Sequence, residues 1–138
     1  MREILFRGKR VDNGEWLYGW VTTQHKKYTG GDLLTKIQSN TFGVGEYYVD
    51  TETVGQFTGL LDKNGTKIFE GDIVRRFNSK EQEVMRYAVK WNTDCCMFVL
   101  ICEDTYLGEY DSDFTVFYGE EFEIVGNVHD NPELRKEK

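Results

Sequence analysis

The sequence predicts an all-β protein made of antiparallel strands, and three observations carry that expectation. Apolar residues recur with a period of two: Met85, Tyr87, Val89 and Trp91 alternate with Arg86, Ala88 and Lys90, the pattern of a half-buried strand. Hairpin-type turns, Asp12-Asn13-Gly14 and Asp62-Lys63-Asn64-Gly65, separate the apolar runs, because Asp and Asn bond their own backbone and Gly accepts positive φ. The chain has fourteen glycines and a single proline, so its turns rest on glycine and asparagine.

In chain order, Ile4 to Val11 reads as a first strand and Glu15 to Thr22 as its hairpin partner. The partner carries Trp16, Tyr18 and Trp20 on one face and Leu17, Gly19 and Val21 on the other. Large side chains on both faces mean either burial between layers or aromatics presented for contact. Burial is the preferred expectation, since aromatics dominate core burial in small β proteins. Gln24 to Asp32, polar and holding His25 and Gly30-Gly31, reads as a flexible loop. Leu33 to Ile37 and Phe42 to Val49 follow as short strands.

Thr53 to Arg75 is the stretch richest in structural signal. Val54, Phe57, Leu60 and Leu61 mark one strand, and Ile68, Phe69, Ile73 and Val74 mark the next. Gly55, Gly59 and Gly71 point to bulges or close backbone approach. Asp62 and Asn64 match the first and third positions of a calcium loop. Lys67 then stands where that loop needs glycine, and Ile73 where it needs a carboxylate, so a hairpin turn is expected instead.

After a polar turn at Asn78 to Gln82 comes the alternating strand Glu83 to Trp91, then the apolar run Cys95 to Cys102, expected as a central strand covered on both faces. Phe122 to Val128 reads as the last strand. Asn131 as cap and Pro132 in first position predict a short C-terminal helix.

The 138 residues are expected to form one domain, 1–138. No apolar run approaches the roughly 18 residues that a membrane helix needs. The first residues lack the apolar core of a signal peptide, so a cytoplasmic location is expected. The net charge of −7 and pI near 4.9 weigh against broad contact with nucleic-acid backbone, which depends on Lys and Arg displacing counterions. Cys95, Cys96 and Cys102 lack the spacing of a zinc site and read as buried reduced thiols. No cofactor or metal is expected.

Phosphate-loop, dinucleotide and nucleophile-elbow motifs are missing from the sequence, and His25 and His129 have no sequence neighbour that makes a catalytic pair. Three candidate sites remain. Glu103 to Ile124 holds eight carboxylates and no lysine or arginine, interleaved with aromatics. It is either a solvated edge or a contact surface for a basic partner, with Tyr106, Tyr110, Tyr118, Glu120 and Glu121 as its candidate residues. A basic patch of Arg7, Lys9, Arg10, Arg75 and Arg76 is the candidate for nucleic acid. Glu70-Gly71-Asp72 is the candidate acidic site of an enzyme, against the preferred reading of a strand entry capped by aspartate.

Four pieces of the chain, in order, resemble the YopX family of phage and prophage proteins of mostly Gram-positive bacteria. They are Phe6 to Lys9 with Trp16 to Gly19, Val54 to Gly65 with Ile68 to Val74, Val89 to Trp91, and Val125 to Leu134. The resemblance implies an antiparallel fold containing a β-barrel, with an SH3-like portion in the C-terminal half. It carries over no catalytic residue, so a non-enzymatic accessory role is expected. Strand edges and surplus aromatics add the expectation of a homo-oligomer that also contacts a host or phage protein.

Overall fold

The structure, a computed structural model, describes residues 1–26, 33–41, 45–104, 108–112 and 121–135. Among these, eleven strands form two antiparallel sheets, and the helical structure is limited to two short 3-10 turns. The all-β expectation is met. The chain divides into two compact units, Met1–Gly59 and Leu60–Lys138.

In the first unit, β1 (Phe6–Lys9) and β2 (Trp16–Lys26) form the predicted hairpin, in register from Lys9↔Trp16 to Phe6↔Gly19. The turn closes through Gly14 at φ 72° and through Asn13, whose Oδ1 accepts the Glu15 N–H at 3.0 Å. β2 runs further than expected. A bulge between Val21 and Thr23 shifts its register, after which Thr23 to Lys26 pair with β3 (Leu33–Ser39). Gln24 to Lys26 are therefore strand and not loop, while the remainder of that predicted loop, 27–32, lies outside the described residues.

β4 (Glu46–Val49) pairs with β3, and a 3-10 turn at Thr51–Thr53 leads into β5 (Gly55–Leu61), which pairs with β1. Thr53 pins that turn to β1: its hydroxyl accepts the Lys9 N–H at 2.8 Å and donates to the Asp50 carbonyl at 2.6 Å. The core of this unit is Leu17, Ile37 and Val49, with Phe6, Val21, Tyr47 and Val54 against them. Gly19 has no alternative, because a Cβ there would stand 1.7 Å from the Gln38 carbonyl oxygen.

The predicted second strand of the central hairpin is in fact two. Gly71, at φ 92°, breaks it into β6 (Lys67–Phe69) and β7 (Asp72–Phe77). β6 ends the sheet of order β4-β3-β2-β1-β5-β6, whereas β7 belongs to the other sheet. The Gly71 amide and carbonyl are both used, bonded to the Val89 carbonyl and the Val128 N–H at 2.8 Å each.

The second sheet adds β8 (Glu83–Asn92), β9 (Met97–Asp104), β10 (Gly108–Ser112) and β11 (Glu121–Asn127), in the order β10-β9-β8-β7-β11. Its core is Val74, Tyr87, Val89, Leu100 and Cys102 with Ile68, and Met85, Phe122 and Ile124 pack against it. β9 is the expected covered strand over Val99 to Cys102, whose four side chains are all buried although they alternate between faces. Its start is displaced from the expectation: Cys95 and Cys96 lie exposed in the β8–β9 turn, with Cys96 at φ 53°, and only Cys102 is the predicted buried thiol. The polar residues Asn92 to Asp94 turn the chain too late to leave those two cysteines in the strand.

The predicted C-terminal helix reduces to one 3-10 turn, Pro132–Arg135, closed by an i→i+3 bond from the Leu134 N–H to the Asn131 carbonyl at 3.1 Å. Asn131, the expected cap, turns its side-chain oxygen back toward the Asn127 N–H at 3.4 Å. Among the described residues neither sheet closes into a barrel, and no helix is long and apolar enough to cross a membrane.

Candidate functional site

Alternation along each strand, combined with cross-strand register, sorts the first sheet into two faces. Leu17, Ile37 and Val49 share the core face. On the opposite face stand Arg7 and Lys9 of β1, Trp16, Tyr18 and Trp20 of β2, Lys36 and Gln38 of β3, and Glu46 and Tyr48 of β4. This reverses the burial expected for two of the three β2 aromatics: Trp20 is 52% exposed and Tyr18 39%, whereas Trp16 is half-buried, and Tyr48 of β4 is 40% exposed on the same face. Gly19 supplies the reason. Its bare backbone lets β3 approach on the core side, and the smaller set, Leu17-Gly19-Val21, fits beneath the sheet where three large rings would not.

Rings and cations are interleaved on this outer face. The Arg7 guanidinium carbon lies 4.7 Å from the Trp16 ring centroid, and the Lys9 ammonium 5.9 Å from the same ring. The Lys36 ammonium lies 4.7 Å over the Tyr48 ring. Such contacts hold a flexible cation at a fixed place beside a π surface. Glu46, on the same face, accepts a hydrogen bond from the Thr22 hydroxyl. Chemically the face offers flat apolar surfaces edged with positive charge.

The other predicted cations are distributed between the units. Arg10 donates to both carboxylate oxygens of Asp12, at 2.9 and 2.6 Å, and stacks 3.9 Å from the Tyr47 ring centroid. The hydrogen bond from Arg10 holds the Asp12 carboxyl below the ordinary carboxylate range, and the same bond raises the Arg10 pKa. Arg75, in β7, donates twice to Glu123 Oε2 at 2.9 and 2.6 Å, reaches Glu83 at 3.4 Å and lies over the Phe77 ring. Glu123 is consequently held below the ordinary glutamate range, chiefly by its hydrogen bond with Arg75. Arg76 pairs in register with Phe122 on one side and Met85 on the other. Arg7, Lys9 and Arg10 thus fall in the first unit, and Arg75 and Arg76 in the second.

Glu70 and Asp72 cap backbone. The buried Asp72 carboxylate accepts the Phe69 N–H at 2.8 Å, and Glu70 accepts the Trp91 N–H at 3.2 Å. Asp62 does likewise in the preceding turn, with Oδ1 accepting the N–H groups of Asn64 and Thr66 at 2.9 Å each and Oδ2 that of Ile124 at 3.2 Å. Among the described residues no group of three or more His, Cys, Asp or Glu side chains is placed to hold a metal ion. Of the acidic-segment candidates, Tyr106, Tyr118 and Glu120 lie outside the described residues. Tyr110 sits in β10 opposite Cys102, and Glu121 opens β11, exposed and opposite Phe77.

Lys36 and Tyr48 were not among the sequence candidates. Each belongs to a short strand with no motif of its own, and only the β2–β3–β4 register brings them onto the face of Trp20. The signal that was present is the alternation of Trp16, Tyr18 and Trp20.

A model of the family described as YopX protein matches residues 5–136. Among solved structures, the crystal structure of protein EF1440 from Enterococcus faecalis is similar to this chain, with a TM-score of 0.54 at 25% identity. The match covers 99% of this chain and 100% of that one. No curated protein matches. The family match runs through both units and nearly the whole sequence, and the chain belongs to the YopX family.

Proposed function

We propose that this chain is a non-enzymatic binding module, an accessory protein of a phage or prophage acting in the host cytoplasm through contact. The observation that carries this reading is the outer face of the first sheet, where Trp20, Tyr18 and Tyr48 are exposed together beside fixed cations. Large rings left in water at the middle of a sheet cost burial that a monomer would otherwise gain, and they are the side chains that anchor interfaces. The carboxylates singled out for an enzyme, Glu70 and Asp72, are engaged by backbone N–H groups. In the second sheet the last strand, β11, returns to pair with the first, β7, a strand order that supports an SH3-like half.

The test is recovery of a tagged copy from phage-carrying cells, beside a Tyr18→Ala/Trp20→Ala variant. The expected result is a set of partners lost with the variant at unchanged thermal stability. An identical set from both proteins refutes the assignment to this face. Self-association is part of the same reading, and light scattering that shows a clean monomer at micromolar concentration removes it. The acidic segment around Glu120 and Glu121 is a second contact surface, supported by the concentration of the negative charge in the second unit. Reversing both to lysine should abolish recovery of a basic partner.

A further inference from the structure

We infer that the outer face of the first sheet binds single-stranded nucleic acid, an inference that rests on the contact-module reading and names its partner. The overall charge of −7 opposes this only while it is spread over the whole chain. Met1–Gly59 holds seven Lys/Arg and seven Asp/Glu, whereas Leu60–Lys138 holds ten and seventeen. The entire excess of negative charge therefore belongs to the second unit. On the face itself Lys9 and Lys36 are the part-exposed cations, Arg7 being buried, and they are set against the carboxylate of Glu46.

The spacing fits separated bases. A strand rises about 3.3 Å per residue, so Trp16, Tyr18 and Trp20 follow one another at roughly 7 Å along one face. That is too far for the rings to stack on each other, and it leaves the exposed rings of Tyr18 and Trp20 each with a π surface for a base, while Trp16 is half-buried beneath Arg7 and Lys9. Single strands are bound in this manner, with bases stacked on aromatic side chains and phosphates met by cations. A duplex keeps its bases in the stack and offers the rings nothing.

A protein partner fits less well, because interface cores are depleted of lysine. Here lysines lie on the rings, Lys9 at Trp16 and Lys36 at Tyr48. Single-stranded nucleic acid supplies both complements at once, phosphates for Lys9 and Lys36 and flat bases for the exposed rings of Tyr18 and Trp20.

The experiment is fluorescence anisotropy of the full chain with labelled mixed-sequence oligonucleotides of about 12 nucleotides, as single-stranded DNA, single-stranded RNA and duplex. Single strands should bind at low salt and the duplex more weakly, with the DNA and RNA arms deciding which is preferred. Two cations at about 0.7 each give a log–log salt slope of about −1.4, a loss of roughly sevenfold between about 50 and 200 mM. Trp20→Ala should weaken binding by about tenfold or more, and Trp20→Phe, which keeps a ring, should restore most of it. Arg75→Ala/Arg76→Ala, in the second unit, should change little.

Equal binding of duplex, indifference to Trp20→Ala, or loss through Arg75→Ala/Arg76→Ala alone would each overturn the assignment. Failure of every oligonucleotide to bind, beside a nuclease-resistant protein partner that depends on Tyr18 and Trp20, would overturn the nucleic-acid inference and leave the contact module standing. Loss of both would overturn both.

Discussion

Removing the Asp62 carboxylate should cost this protein about 3 kcal/mol, and the structure shows where the loss arises. Asp62 is buried, and its two oxygens accept three backbone N–H groups, those of Asn64, Thr66 and Ile124. Asn64 and Thr66 are exposed, so in Asp62→Ala water replaces the lost acceptor and each bond is worth about 0.5–1 kcal/mol. The Ile124 amide is half-buried beside the bulge between Ile124 and Gly126, and losing a charged acceptor there costs about 1.5 kcal/mol. Asp62→Asn keeps one carbonyl oxygen for the two turn amides but sets an NH2 group against the Ile124 N–H, so about half the loss should remain. The expected fall in melting temperature for Asp62→Ala is about 10 °C, measured by urea and thermal unfolding. Amide exchange at Ile124 and Thr66 should accelerate. A loss below about 1 kcal/mol, equal losses in the two variants, or unchanged exchange at Ile124 would refute this account. Stabilisation by added calcium would do so too, since it would make these oxygens metal ligands.

Four further outcomes are expected. Gly19→Ala should destabilise by about 3 kcal/mol or prevent folding, because its methyl would fall 1.7 Å from the Gln38 carbonyl oxygen; circular dichroism on heating checks this. Leu100→Ala, at a fully buried site of the second core, should cost about 2–5 kcal/mol by denaturant titration. Glu123 is held below the ordinary glutamate range by Arg75, so the folded chain binds that proton more weakly than the unfolded chain. Its contribution is complete above the ordinary glutamate pKa and is lost as pH falls through the lowered value. Glu123→Gln should flatten the acid side of the stability–pH curve, and an unchanged slope would contradict the pairing. Thiol titration of the native protein should count two fast groups, Cys95 and Cys96, with Cys102 reacting only on unfolding.

Much of the fold was legible in the residues because local chemistry settles it. The turn at Asp12 to Gly14 needs glycine at positive φ and an asparagine bonding its own backbone, and both requirements are written in the sequence. Period-two alternation located β8, and an apolar run located the buried part of β9. Where the sequence was ambiguous, two local rules were satisfied equally. Ile68 to Val74 has the apolar content of one strand, and only the positive φ of Gly71 sends β6 and β7 to different sheets. Cys95 and Cys96 continue an apolar run, yet the β8–β9 register from Asn92↔Met97 to Ala88↔Ile101 leaves them in the turn.

The candidate site was less legible for a related reason. By itself the sequence determined an all-β antiparallel protein, its hairpin turns, its family motifs and the alternation that sets Trp16, Tyr18 and Trp20 on one side of a strand. It could not decide which side faces water, because Leu17 and Val21 make the other side equally apolar. Tertiary structure decided that, through the close approach of Gln38 to Gly19. The β2–β3–β4 register then added Lys36 and Tyr48 to the exposed rings. Alternation is a property of one strand, whereas a face is a property of several strands in register, and register is fixed only when the core beneath the sheet is packed.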